Sequence, residues 1–180
     1  MQMKSAPGDY HWITNHLHVD LNKASLKPVL AFLLYWNTFE ARLFERNFCT
    51  QSLKDDDVIL LVDNKIVSDS FAYAKKRYVS TKGNLKQTFD KLGFRNLSKN
   101  NNKETDDEKF VKEVLLDECP SCKKQLIAII IIVYRLRNNM FHGEKSISEA
   151  SRQTTLLKWA CRILGECLSQ NEEDTRKASV

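Results

Sequence analysis

The chain has 180 residues, of which 42% are hydrophobic and 28% are charged, and its formal net charge is +5. This composition is typical of one globular domain and excludes collagen-like and low-complexity chains. The apolar run 126–133 is far shorter than the ~20 residues that span a bilayer, so no membrane contact is expected. The first residues lack the apolar segment of a signal peptide, and the five cysteines are an odd number. We therefore expect a cytoplasmic protein without a disulfide framework.

The first predicted elements are an arm and a core helix. Residues 1–24 lack helical periodicity, and we interpret them as an N-terminal arm. Proline is tolerated in a first helical turn, and apolar residues recur at helical spacing after Pro28, which predicts a helix of about twenty residues from there. Its aromatic residues Trp36, Phe39 and Phe44 are interpreted as core, with a base-stacking platform as the alternative.

The middle of the chain predicts shorter helices. The segment 52–78 is interpreted as containing a helix with an Asp near its start, although the β-branched residues of 58–67 leave a short strand open. The segment 83–94 predicts a short helix closed by Gly93. Residues 95–105 are polar and rich in Asn, which predicts a flexible loop, and 107–118 predicts another helix.

The last third contains a long apolar helix and a final amphipathic one. We predict the first of these from Pro120 to Phe141 and the second from Ile147 to Leu168, with a turn at Gly143 between them. The polar residues 170–180 are expected to form a fraying C-terminal tail. The sequence therefore predicts an all-α fold, a helical bundle of four to six helices formed by residues 25–169.

A polar cluster closes the long apolar helix, in the sequence YRLRNNMFHG. Residues four apart share a helix face, so Tyr134, Asn138 and His142 align. Arg137 lies five residues before His142, about 140° away around the helix. Gly143 ends the helix and leaves His142 free to turn toward Arg137. We therefore expect these side chains to gather at a solvent-exposed helix end.

The sequence RLRNNMFHG resembles the signature of the HEPN superfamily, in which an Arg, commonly followed by Asn, precedes a His at the junction of two helices. Arg137, Asn138 and His142 match that signature, and the aromatic-rich YWNTFEARLF resembles the first core helix of such proteins. The resemblance covers about residues 28–168 and implies a HEPN-like bundle. Members with an intact motif are typically metal-independent endoribonucleases, often toxins or effectors of toxin–antitoxin or antiviral defence systems. They usually act as homodimers whose two motifs meet in one cleft.

These residue types suit RNA cleavage without a metal or another cofactor. The 2′-hydroxyl must lose its proton, the phosphate charge must be stabilised, and the leaving 5′-oxygen must gain a proton. An imidazole exchanges protons near neutral pH because its ordinary pKa is about 6.5, and a guanidinium matches a phosphate and stays charged. The resemblance and this chemistry assign phosphate binding to Arg137, phosphate positioning to Asn138 and proton transfer to His142. Asn139 and Tyr134 are secondary candidates.

The expected partners are RNA, a second copy of the chain, and an antitoxin or regulatory protein. Acid and base duties need two groups, and the motif offers one histidine, so a homodimer with a composite active site is expected. The segment 65–99 contains nine Lys or Arg residues and only two acidic residues, Asp69 and Asp90. This basic stretch can attract an RNA backbone; the candidates are Lys75, Lys76, Arg77 and Lys82.

The motif also leaves alternatives open. Arg and His at a helix end can simply interact with the terminal carbonyl groups. The main alternative is therefore a non-catalytic HEPN-like module for dimerisation or partner docking, and a nucleic-acid-binding regulator is supported by charge alone. Some family toxins carry, two residues after the His, a tyrosine that a partner nucleotidyltransferase modifies. Glu144 stands there in this chain, so that control is not expected.

Two further patterns contain residue types that bind metals. Cys119 and Cys122 have the spacing of half a zinc site, but no second close pair follows. We interpret them as thiols at a helix start, where the pKa of a thiol can fall. His11, His16 and His18 can bind a metal on an extended arm, although we interpret them as a polar arm. No metal site is therefore predicted.

Overall fold

The structure is a computed structural model that describes residues 23–55, 62–94, 104–141 and 153–178. Within these residues the fold is all-α, as predicted, and the one β-type pairing is an isolated bridge between Val79 and Leu85. The helices are α1 (Lys23–Leu43), α2 (Thr50–Lys54), α3 (Asn64–Tyr78), α4 (Gln87–Asp90), α5 (Asp106–Leu116), α6 (Cys122–Phe141) and α7 (Thr154–Ala178). The described residues thus contain seven helices, one more than the predicted maximum of six, because α2 is a separate turn of five residues.

The central helix is α6, because it is apolar on every face over its middle turns. Residues 126–133 are all buried, and 128–133 have no exposed surface. A helix with this pattern must be covered on all sides. Helices α2, α3 and α5 pack directly against α6, while α1 pairs with α7 and α7 also contacts α3. The polar residues of α6 are therefore confined to its two ends.

The α1 helix begins at Lys23, so the prediction that Pro28 opens it is wrong. The missing N–H of Pro28 would have bonded the carbonyl of Ala24, next to the helix start, where one lost bond leaves most of the helix intact. The core interpretation of its aromatic residues is confirmed, since Trp36 and Phe39 are fully buried and Phe44 is 7% exposed; these are not available as a stacking platform.

A glycine lets α1 and α7 approach each other closely. A Cβ atom on Gly165 of α7 would lie 3.3 Å from Cε1 of Tyr35, so the aromatic ring occupies the space that a larger residue would need. Glycine inside a helix costs about 1 kcal/mol relative to alanine. Here the close packing of Tyr35 against Gly165 offsets that cost.

The middle of the chain follows the predicted capping at α3. Asp63 is the N-cap of α3 and accepts hydrogen bonds from the backbone nitrogens of Lys65 and Ile66 at 2.9 and 3.1 Å. The helix α4 ends at Asp90 with Lys91 as its C-cap, and Gly93, three residues after the helix, has a left-handed φ of 66°. The prediction of a short helix is confirmed, but Gly93 closes the turn that follows it and not the helix itself. The possible strand, 58–67, lies partly outside the described residues; its described part, 62–67, contains no strand, because 64–67 belong to α3.

The two long C-terminal helices differ from prediction at their boundaries. The α6 helix begins at Cys122 and not at Pro120, and α7 continues to Ala178, into the segment predicted as a tail. Residues 166–178 contain no Gly or Pro, and Glu, Gln, Lys and Arg favour helix. The arm 1–22, most of the predicted loop (95–103) and the segment 142–152 lie outside the described residues. Of the helices described, none has the length and apolarity to cross a membrane.

We expect Ile131→Ala to lower the free energy of unfolding by about 3 kcal/mol, because it opens a cavity in a fully buried helix. Leu34→Ala is the control: Leu34 is 68% exposed, and its loss should cost less than about 0.5 kcal/mol. Urea unfolding measures both. Equal losses would contradict the central position of α6.

Candidate functional site at the end of α6

Two buried polar side chains of α6 bind the backbone that follows α4. Arg135 and Asn139 are each 2% exposed. The guanidinium of Arg135 donates from Nε to the carbonyl of Leu92 at 3.1 Å and from Nη2 to that of Gly93 at 2.6 Å. The amide nitrogen of Asn139 donates to the carbonyls of Lys91 and Leu92, both at 3.1 Å. The turn 91–93 is therefore held against α6 by four hydrogen bonds.

These bonds have a clear structural purpose, because the carbonyls at the end of α4 have no partner within that helix. A buried carbonyl left unsatisfied costs about 1–3 kcal/mol. The Arg135 guanidinium also lies 5.7 Å from the centre of the Phe94 ring, within range of a cation–π contact. Sequence reasoning missed Arg135. The signal for it is a pair of polar residues four apart, Arg135 and Asn139, in a helix that is otherwise core.

Arg137 lies about 200° around α6 from Arg135 and has different surroundings. It is half-buried, and its Nη1 donates to Oδ1 of Asn138 at 3.0 Å. Asn138 itself is 3% exposed, so its amide is closed to a bulky ligand. The structure thus brings together two of the three predicted catalytic residues, with Asn138 orienting the guanidinium of Arg137.

The secondary candidate Tyr134 belongs to an aromatic cluster between α1 and α6. Its ring centre lies 5.7 Å from that of Trp36 and 4.9 Å from that of Phe48. The Trp36 indole donates to Oε2 of Glu40 at 3.0 Å, which fixes its ring in turn. These contacts anchor the last turns of α6, and Tyr134 is half-buried within them.

The third predicted catalytic residue, His142, lies outside the described residues, as do Gly143 and Glu144. The structure describes α6 to Phe141, the residue immediately before His142. The pairing of His142 with Arg137 stays a prediction. The arm histidines His11, His16 and His18 also lie outside the described residues.

The candidate RNA-binding residues lie at the end of α3 and in the turn that follows. Lys75, Lys76 and Arg77 form the last turn of α3, where cations interact favourably with the helix carbonyls. The ammonium of Lys75 donates to the carbonyl of Asp117 at 2.6 Å, which ties α3 to the end of α5. Lys76 and Lys82 are exposed, and Arg77 is half-buried. Lys75 therefore has a structural contact, whereas Lys76 and Lys82 face solvent.

A cavity of about 120 Å³ lies between the end of α3, the turn after α4, the C-terminal half of α6 and the start of α7. Two basic residues, Arg77 and Lys91, contribute to its wall, and no carboxylate is among the described residues that line it. Leu136, the residue before Arg137, is also part of the wall. The remaining lining residues are Tyr78, Thr88, Leu92, Gln153 and Leu156. The cavity is thus a basic recess adjoining the predicted site.

Tyr78 remains a neutral group in this basic recess. Burial raises its pKa to about 12, and the nearby positive charge of Arg77 opposes that rise only in part. The guanidinium carbon of Arg77 lies 5.8 Å from the centre of the Tyr78 ring. At neutral pH the recess therefore contains cationic and neutral groups.

Three of the five cysteines, Cys122, Cys161 and Cys167, are partly or fully buried. Burial, and to a smaller extent the charge of Asp63, raise the pKa of Cys122, so the expectation of a lowered thiol pKa at this helix start is wrong. Burial also raises the pKa of Cys161 to about 11 and that of Cys167 to about 12. In the described part of the chain, no group of three or more His, Cys, Asp or Glu residues is placed to hold a metal ion.

We expect Arg135 and Arg137 to differ sharply when replaced. Arg135→Met removes the donors to two buried carbonyls and should lower the free energy of unfolding by about 2–4 kcal/mol. Arg137→Met, two residues away, removes the hydrogen bond to the Asn138 side chain from a half-buried position and should cost less than about 1 kcal/mol. Urea unfolding of both variants is the measurement. A larger loss for Arg137→Met would contradict the roles assigned here.

The raised pKa of Tyr78 leads us to expect that the free energy of unfolding falls at alkaline pH. Its folded pKa, about 12, lies above the ordinary value of 10, so its contribution is complete below pH 10 and is lost as the pH rises toward 12. The slope attributable to this group is at most about 1.4 kcal/mol per pH unit. The free energy of unfolding of Tyr78→Phe should therefore fall less steeply over this window than that of the wild type. Parallel curves would contradict the burial of this hydroxyl.

Comparisons with protein-family models, with curated proteins and with solved structures find no match to this chain. The interpretation of the site therefore depends on its own residues. Those residues are the Arg137–Asn138 pair at the end of α6, the turn held by Arg135 and Asn139, and the basic recess beside them.

Proposed function

We propose that this protein is a metal-independent endoribonuclease of the HEPN type, a toxin or effector in a toxin–antitoxin or antiviral defence system. The observation that carries the proposal is the Arg137–Asn138 pair. A half-buried guanidinium, oriented by a buried amide at 3.0 Å, lies within the last turns of a helix that leads directly to His142. Bonding to a fixed acceptor reduces the side-chain entropy that Arg137 would lose on binding a phosphate.

The different contacts of Arg135 and Arg137 support the assignment of phosphate binding to Arg137. Arg135 is nearly inaccessible and is engaged with backbone carbonyls, so it stabilises the fold. Arg137 is more exposed than Arg135, and its Nη1 donates to the neutral amide of Asn138. A guanidinium hydrogen-bonded to an amide remains positively charged. Asn138 then acts through Arg137 as a positioning residue.

In the proposed reaction His142 removes the proton from the ribose 2′-hydroxyl, and the 2′-oxygen attacks the phosphorus. The bond from phosphorus to the 5′-oxygen breaks, and that oxygen receives a proton from a second acid. Arg137 stabilises the negative charge that builds up on the phosphate oxygens. The products are a 2′,3′-cyclic phosphate and a 5′-hydroxyl. His142 of a second copy is the proposed source of the proton, which makes a homodimer part of the mechanism.

A second candidate function is a non-catalytic HEPN-like module that dimerises or docks a partner. One observation favours it: α1 exposes large apolar side chains, with Leu30 54%, Leu34 68% and Tyr35 41% exposed. Exposed apolar residues on one helix are common at protein interfaces. The same surface is compatible with the dimer of the enzymatic proposal, so activity decides between the two.

We expect Arg137→Ala and His142→Ala each to lower RNA cleavage in EDTA by at least about a hundredfold, the usual range for loss of a proton-transfer or charge-stabilising group. Matched controls are Arg162→Ala, an exposed arginine of α7, and His16→Ala, a histidine of the predicted arm. Both should cut at the wild-type rate. Cleavage of a defined RNA is followed on a gel, with circular dichroism to confirm folding.

The substrate provides an independent control for the same experiment. RNA with 2′-O-methyl groups lacks the attacking hydroxyl and should remain intact, and the products from ordinary RNA should carry 5′-hydroxyl ends. Wild-type protein that dimerises but leaves every RNA uncut would favour the docking module. Unchanged cleavage by His142→Ala would exclude the proposed mechanism.

A further inference from the structure

One side of α1 presents an uncharged surface to solvent. Residues 28–39 contain no Asp, Glu, Lys, Arg or His, although 28% of the chain is charged. Of the four large apolar side chains that are exposed in the described part of the chain, three lie in this stretch, namely Leu30, Leu34 and Tyr35. The outer side of a surface helix ordinarily carries charged and polar residues. Exposed apolar side chains clustered on one helix therefore mark an interaction surface.

A groove of about 350 Å³ adjoins this stretch, between α1 and α7. Tyr35 lines it on the α1 side, and Cys161, Gly165 and Leu168 are among the lining residues of α7. The volume is well above the 10–15 Å³ that one water needs, so a side chain of several atoms can enter. Leu34, the neighbour of Tyr35 in the chain, is 68% exposed. The surface thus has a protruding apolar side chain next to a groove.

A surface with both features can pair with itself. In a dimer with a two-fold axis both copies use the same surface, so each contact occurs twice. Leu34 of each copy can then enter the groove of the other. The charges of the groove fit the same symmetry, because Arg162 and Glu166 line it one helical turn apart and have opposite signs. With the axis between them, each Arg162 faces the Glu166 of the other copy.

The charge of the chain also favours a second copy on this surface. Each copy has a formal net charge of +5, and like charges brought into contact across an interface cost several kcal/mol. Along 28–39 two copies can approach without any such contact, because the stretch has no charge. The central part of protein interfaces is likewise depleted of charged residues.

The extent of the surface is sufficient for a reversible dimer. A helix of 21 residues is about 31 Å long at about 1.5 Å per residue, and two packed helices are together about 20 Å wide. Each copy therefore offers on the order of 600 Å², compared with about 800 Å² per partner in an interface of standard size. We expect a Kd in the micromolar range.

We propose that the exposed side of α1 and the groove between α1 and α7 form the interface between two copies of this chain. The two-fold axis lies near the contact of Tyr35 with Gly165, and Leu34 of each copy enters the groove of the other. The pairing involves neither RNA nor the Arg137–Asn138 pair. A failure of this proposal is therefore distinguishable from a failure of the proposed ribonuclease activity.

The test is sedimentation velocity of the full chain, without RNA, over a range of protein concentrations that brackets the expected Kd. Leu34→Lys places a charge at the centre of the surface. Leu116→Lys is the matched control, because Leu116 is 45% exposed at the end of α5 and lies outside the surface. Arg162→Glu and the double variant Arg162→Glu/Glu166→Arg test the symmetry.

We expect Leu34→Lys to raise the Kd at least about tenfold, because it buries a charge without a partner, whereas Leu116→Lys should keep the wild-type Kd. Arg162→Glu should weaken the dimer, because it sets like charges opposite each other, and adding Glu166→Arg should restore it. Arg162→Ala should leave the Kd nearly unchanged, because an exposed ion pair contributes at most about 1 kcal/mol.

Urea unfolding at concentrations well below the Kd checks the fold separately from association, and Leu34→Lys should match the wild type there to within about 0.5 kcal/mol. A wild-type chain that stays monomeric at every concentration overturns the proposal, as does a dimer that Leu34→Lys leaves intact. Failure of the double variant to restore the dimer overturns the two-fold arrangement. Should Leu34→Lys fail to fold, the charge variants carry the same comparison, because Arg162 is exposed.

Discussion

The burial of α6 on every side is the constraint on which the rest of the structure depends. Residues 128–133 have no exposed surface, so helices must surround them and no polar group can be placed among them. A buried polar side chain is possible only where hydrogen-bond partners are within reach. The last two turns of α6 are such a place, and they hold Arg135, Arg137, Asn138 and Asn139 together.

At this helix end the polar residues divide into two sets with different duties. Arg135 and Asn139 satisfy three carbonyls of the turn 91–93 and so fasten α4 to the core. Arg137 and Asn138 bond to each other and leave a guanidinium near the surface. The first set also fixes the turn that carries Lys91, and this turn forms a wall of the basic recess.

The sequence predicted the fold class and the long helices well, because helical periodicity and capping residues are local signals. Asp63 caps α3 as its residue type requires, and Gly93 takes a left-handed conformation in the turn after α4. The predicted start of α1 was wrong because Pro28 lies near the N-terminus of the helix, where the helix tolerates the missing backbone N–H of a proline. The extension of α7 to Ala178 was missed because a polar composition predicts solvent exposure and does not by itself end a helix.

The sequence predicted only some of the residues of the candidate site at the end of α6. The motif identified Arg137 and Asn138, which are bonded, but it gave Asn138 a direct role toward phosphate that its burial argues against. Arg135 was invisible because its partners are backbone carbonyls more than forty residues away, a contact set by the tertiary fold. The recess joining Arg77 to Lys91 has the same origin. The raised pKa of Cys122 likewise reflects burial, which outweighs its position at a helix start.

The most direct measurement of the central claim is the RNA-cleavage rate of Arg137→Lys in EDTA, together with its free energy of unfolding. Lysine keeps the positive charge but not the planar fork that bonds Asn138 and matches a phosphate. We predict a cleavage rate at least about tenfold below that of the wild type, with a free energy of unfolding within about 0.5 kcal/mol of it. A variant that cleaves RNA at the wild-type rate, or a wild-type protein that cleaves none, would contradict the account.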